Sequence, residues 1–113
     1  MFTARPNLLF VGDETVTAEM LGTLWPVLQE PVWMTMGAPL SLPSAPPGTL
    51  IVQEATRLAA EDQLRLLRWL SDHAGVQVIT TTPNPLVPLV PRGAFLEALY
   101  YLLNEVYIPL ARL

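Results

Sequence analysis

The side chains able to do acid–base or nucleophilic chemistry are few. One histidine, His73, ten carboxylates and six arginines stand in a chain of 113 residues that has neither cysteine nor lysine. Each absence removes a class of chemistry. Without lysine there is no residue to grip nucleotide phosphates in a working P-loop, and no Schiff base can form. Without cysteine there is no thiolate nucleophile, disulfide framework or zinc knuckle. A single histidine allows a Ser/His/Asp triad in only one way, and no G-x-S-x-G elbow accompanies it. The formal net charge of −4 leaves no surface that could neutralise nucleic-acid phosphates in number. No metal site and no cofactor are expected, and direct nucleic-acid binding is not.

The elements that must position these side chains follow from apolar patterning. Residues are 51% hydrophobic and only 14% charged, which argues against disorder. A chain of this length suits one domain over residues 1–113 and buries roughly 65% of its unfolded surface without a staple. Asn7 to Val11 reads as a buried strand ending in Gly-Asp. Thr17 to Leu28 is predicted as a helix, with Pro26 ending or kinking it. Pro31 to Met36, Thr49 to Val52, Val76 to Thr81 and Val106 to Leu110 read as further strands, and Leu58 to Asp72 and Gly93 to Leu103 as helices. Proline-rich loops occupy 39–47 and 82–92. On the Leu58 to Asp72 helix, Glu61, Arg65, Arg68 and Asp72 form a charged stripe expected to hold two i,i+4 pairs. Strands alternating with helices predict an α/β fold, three layers αβα around a mostly parallel sheet. No apolar run is long enough to span a membrane, and the amino terminus lacks a signal-peptide core, so a cytoplasmic protein is expected.

From Gly48 onward, over about 65 residues in one ungapped frame, the chain resembles the AAA+ ATPase domain of the sigma-54 activators, the bacterial enhancer-binding proteins. Where that family has GTLFLDE, the chain has Gly48-Thr49-Leu50-Ile51-Val52-Gln53-Glu54, followed by Leu58, Gln63, Leu66-Leu67-Arg68 and Leu70 of the family's next helix. The family strand RVIAATN becomes Gln77-Val78-Ile79-Thr80-Thr81-Thr82-Pro83. The segment ending FREDLYYRLN becomes Phe95-Leu96-Glu97-Ala98-Leu99-Tyr100-Tyr101-Leu102-Leu103-Asn104. Gly12-Asp13-Glu14-Thr15-Val16-Thr17-Ala18-Glu19 sits where the family has GESGTGKE, with only the outer residues matching. The resemblance implies a P-loop NTPase-like core. It also implies that the polymerase-contacting GAFTGA insertion is missing, with residues 39–47 in its place, and that the lid domain is lacking, since the family's lid follows the position of Leu110-Ala111-Arg112-Leu113.

The departures fall on the residues that the resemblance assigns to ATP. Thr15 and Thr17 replace the inner glycines and Ala18 the lysine. Gln53 replaces the magnesium-binding aspartate, while Glu54 keeps the carboxylate that would activate water and is read as vestigial. The sensor asparagine aligns with Pro83, beside Asn84, and the two trans-acting arginines align with Leu96 and Leu102. Such an arginine is worth about 10³–10⁵ in rate. The expectation is a pseudo-ATPase retained as a protein-interaction or transcription-related regulatory module, with a protein partner or self-association. The alternative is a regulatory domain that binds nucleotide without hydrolysis, its anion held by backbone N–H groups near Gly12, Asp13, Glu14, Thr15 and Thr17. A receiver-like reading of LLFVGDE lacks the lysine such domains use.

Plainer roles stand beside these. Glu54 is also read as a scaffold residue or loop cap, and His73 as favoured at a helix end by the helix dipole. Trp25, Trp33 and Trp69 are read as packing. Thr80, Thr81 and Thr82 are read as a β-branched strand end. The apolar residues from Ala94 to Leu103 cover an arc of about 200°, wider than a usual core stripe. Two readings stand: a deeply buried helix, or an apolar contact through Leu96, Tyr100, Leu102 and Leu103.

Overall fold

In the computed structural model, which describes residues 5–110, strand follows helix as the patterning requires. The strands are β1 (Leu8–Val11), β2 (Val32–Met36), β3 (Thr49–Gln53), β4 (Gln77–Thr82) and β5 (Val106–Pro109); the helices are α1 (Glu14–Leu24), α2 (Ala60–Asp72) and α3 (Glu97–Leu103). The five strands form one sheet, β2-β3-β4-β1-β5, and every pairing is parallel. The burial of both faces explains the composition of the centre: β3 and β4 are buried throughout save Gln53 at the end of β3, and apart from Gln53 and Gln77 at their ends they read as apolar or threonine runs.

Pleating sends alternate residues to opposite faces. Leu9, Val11, Leu50, Val52 and Val78 meet Leu66, Leu70, Leu99 and Leu103 of α2 and α3 on one side. Phe10, Ile51 and Ile79 meet Leu21 of α1 on the other. The result is the expected αβα sandwich, with a thick layer on one face and a single helix on the other.

Four local expectations need correction. Helix α1 starts at Glu14 rather than Thr17, because the Asp13 carboxylate accepts the Val16 N–H at 2.9 Å and caps the helix there. It ends at Leu24, and Trp25–Val27 around Pro26 form a tighter 3₁₀ turn. The last helix starts at Glu97 rather than Gly93: Gly93 has φ +73°, and buried Gln63 accepts the Leu96 N–H at 2.8 Å and donates to the Ala94 carbonyl at 3.0 Å, holding the approach in a non-helical turn. The paired charges on α2 also differ, since Arg65 meets Asp62 at 2.7 Å, i,i+3, rather than Glu61. Among the described residues no helix is long and apolar enough to cross a membrane.

Two of the three tryptophans act as braces, while Trp25 is exposed. Trp33 donates its indole N–H to the Ser41 carbonyl at 2.8 Å, and Trp69 donates to Pro43 at 3.0 Å, so the proline-rich loop is tied down over β2 and α2. His73 ends α2, with Nδ1 2.8 Å from the Trp69 carbonyl oxygen and its ring 4.3 Å from the Trp69 ring.

Candidate functional site

In an open parallel sheet a ligand crevice forms beyond the carboxyl ends of the strands, where adjacent crossovers leave in opposite directions. Here that point lies between β1, whose chain crosses to β2, and β4, whose chain crosses to β5. A cavity of about 80 Å³ sits there, lined by Gly12, Glu14 and Thr17 after β1, Met36 at the end of β2, Gln53 and Glu54 at and after the end of β3, and Thr81, Thr82 and Pro83 at and after the end of β4. The fold therefore brings together three of the five phosphate-site candidates with Glu54, Gln53 and Pro83.

The strand-to-helix turn sets what this cavity can hold. Only Gly12 and Asp13 separate β1 from α1, so six of the eight residues aligned with the P-loop, Glu14 to Glu19, are helix. A phosphate cradle requires successive N–H groups turned inward by a glycine-rich loop. Here the Val16 N–H is taken by the Asp13 carboxylate, and the Thr17 hydroxyl donates to the carbonyls of Asp13 and Glu14, at 3.1 Å each. Gly12 has a structural reason of its own: a Cβ there would stand 3.0 Å from the Leu110 side chain. Thr15, Ala18 and Glu19 lie exposed on α1 and do not line the cavity.

Glu54 adopts a left-handed backbone, φ 58° and ψ 56°, uncommon for a side chain with a Cβ. Its N–H donates to the Thr81 hydroxyl at 3.4 Å, and its carboxylate lies 4.0 Å from the Arg57 guanidinium. Gly37 is pressed so close that any Cβ there would collide with the Glu54 carbonyl oxygen. Asn84 is exposed outside the cavity, its carbonyl accepting the Thr82 hydroxyl at 2.7 Å. Two carboxylates, Glu14 and Glu54, thus line the cavity, and Arg57 is paired with the second. Among the described residues no group of three potential metal ligands occurs.

The interface candidates separate. Leu103 is fully buried in the core and cannot meet a partner, a correction to its expected place; it faces Leu99 and the sheet. Leu96 (37%) and Leu102 (36%) are exposed, and Tyr100 is half-buried, its hydroxyl accepting from the Asn104 amide at 2.9 Å. Tyr101, which is not among the arc residues, is 66% exposed, its ring centroid 5.7 Å from that of Tyr100. Met36 was not legible as a site residue, since nothing in its spacing ties β2 to the cavity.

Parallel sheet order, flanking helices and a strand-end crevice define a P-loop NTPase-like, AAA+ fold. The sequence model of the Sigma-54 interaction domain matches residues 27–113, and the chain belongs to that family. It is 36% identical to the HTH-type transcriptional regulatory protein TyrR of Salmonella typhimurium over 50% of this chain and 14% of that one. It is 34% identical to a putative response regulator NtrX-like protein of Rickettsia bellii, over 58% and 16% respectively. The chain thus spans about a seventh of the length of these relatives. Among solved structures, NtrX from Brucella abortus in complex with ATP superposes with a TM-score of 0.76 at 19% identity, over 94% of this chain and 31% of that one. The P-loop NTPase domain of the sigma-54 transport activator from E. coli superposes with a TM-score of 0.69 at 20% identity, over 96% and 84%.

Proposed function

We propose that this chain is a non-hydrolysing member of its family, a pseudo-ATPase module working through protein contacts in transcription-related regulation. One observation carries the reading: a two-residue turn, capped by the chain's own Asp13 carboxylate, stands where a nucleotide-binding relative needs a phosphate-cradling loop. Three sequence facts agree with it, namely Ala18 for the lysine, Gln53 for the metal-binding aspartate and leucines 96 and 102 for the trans-acting arginines. Transition-state charge on a transferring phosphoryl group would meet carboxylates rather than cations. The exposed Leu96, Tyr101 and Leu102 give the contact surface on α3.

Isothermal titration with magnesium-ATP, paired with a phosphate-release assay, tests the proposal. No saturable heat up to millimolar nucleotide and background phosphate release are expected. Micromolar, magnesium-dependent binding with turnover would overturn it, and binding without turnover would return the chain to the nucleotide-sensing alternative.

A further inference from the structure

The second surface that invites a partner is the outer edge of β2. Successive residues of a strand aim their backbone groups at opposite edges. The Gly37 N–H bonds the Gln53 carbonyl at 2.7 Å and the Thr49 N–H bonds Pro31 at 3.3 Å, so the odd-numbered residues of β2 serve the ladder with β3. Val32 and Met34 therefore turn their N–H and C=O groups outward, and Met36 its N–H, to an edge where no strand pairs among the described residues; the Met36 carbonyl accepts the Thr35 hydroxyl at 3.3 Å. Edge strands are commonly blunted by charge, proline or a bulge. Val32-Trp33-Met34-Thr35-Met36 has none of these, whereas β5 at the opposite edge contains Pro109.

The side chains around this edge are suited to an added strand. Val32, Met34 and Met36 share the sheet face that α1 covers only over the central strands, leaving Met34 45% exposed. Methionine adapts to varied apolar partners. On the opposite face a groove of about 440 Å³ opens beside Val32 and Trp33, walled by Leu42, Pro43, Pro46 and Pro47. The indole bonds of Trp33 and Trp69 to the loop keep that groove formed in the absence of any partner. Alternate side chains of an incoming strand would enter the methionine stripe and the groove in turn.

Charge selects the occupant. Residues 5–36 carry Asp13, Glu14, Glu19 and Glu30 against Arg5 alone, and Arg5 donates to the Val27 carbonyl at 3.1 Å. Glu30 stands just before β2, and Glu14 shares the strand-end cavity with Met36. Antiparallel pairing of β2 with a second copy would bring Glu30 of each chain to the Met36 end of the other, acid upon acid. We infer that the outer edge of β2 docks an extended segment of another protein, apolar with lysine or arginine interspersed, added as a sixth strand. The inference is independent of nucleotide chemistry and would survive the discovery of ATP binding.

Selection of random dodecapeptides from a display library against the full chain tests this. Enriched peptides are expected to alternate apolar with basic residues. Met34→Pro removes an outward N–H and leaves the β2–β3 ladder intact, since proline is tolerated at an edge position facing solvent. It should weaken binding at least about tenfold, and Glu30→Lys should do likewise. Circular dichroism checks the fold, and if Met34→Pro fails to fold, Glu30→Lys decides. Absence of enrichment, selection of acidic or uncharged peptides, or affinity untouched by the variant that folds would overturn the inference. So would a dimer in sedimentation that the Met34 variant dissociates, which would give the edge to a second copy.

Discussion

Two buried polar side chains, with opposite hydrogen-bonding fates, govern stability at the residue scale. Gln63 donates to the carbonyls of Leu58 and Ala94 and accepts from the Leu96 N–H. Truncation strands three backbone groups, each costing about 1–3 kcal/mol when left unmade in the interior, though partial access of water will soften the sum. Gln63→Ala is therefore expected to lose about 3 kcal/mol in urea unfolding. The Thr80 hydroxyl is the reverse case: it is fully buried and has no hydrogen-bond partner. Thr80→Val keeps the shape and removes the stranded group, so it should hold or raise stability, by up to about 1 kcal/mol. A loss in Thr80→Val, or no loss in Gln63→Ala, would refute this assignment of roles.

At the scale of elements, α3 and β5 bring Tyr100 near Tyr101 and Tyr107, the first pair with ring centroids 5.7 Å apart. Burial, reinforced by the prospective charges of Tyr107 and Tyr101, raises the Tyr100 hydroxyl above its usual value of 10.0. A raised folded-state value means that the native protein holds this proton more tightly than the unfolded chain does. The stability this confers is complete below pH 10 and is lost as pH climbs through the raised value. Alkaline melts should thus fall more steeply in the wild type than in Tyr100→Phe; parallel curves would refute the assignment. The same element shows why sequence patterning succeeded and failed where it did. All five strands were legible because apolar runs between turn residues leave few alternatives. The start of α3 was not, since Gly93 to Leu96 continues an apolar pattern that the positive φ of Gly93 and the hydrogen bonds of Gln63, thirty-odd positions earlier, keep from coiling. At the cavity, Gln53, Glu54 and Pro83 were found through resemblance. The two-residue turn that defines the site was hidden, because a P-loop remnant and a capped helix start share the same string of residues from Gly12 to Glu19.

Across the whole molecule the two faces of the sheet are unequal. One face buries a broad cluster under α2, α3 and the proline-rich loop; the other buries only Phe10, Leu21, Ile51 and Ile79 under α1. A helix about 10 Å wide covers roughly two strands spaced ~4.8 Å apart, so one helix cannot roof five. Apolar burial contributes about 25 cal/mol per Å², and α1, fully burying only Thr17 and Leu21, contributes less of it than α2 or the central strands. Its amides should therefore open in a smaller, cheaper unit than the rest. Native-state hydrogen exchange is expected to show α1 exchanging through a partial opening, while β3 and β4 exchange only with global unfolding. Leu21→Ala, by removing the helix's one fully buried large side chain, should lower α1 protection about as far as it lowers global stability, 2–5 kcal/mol for such a truncation. Protection in α1 equal to that in β4 would mean that the single helix is held by more than its visible contacts.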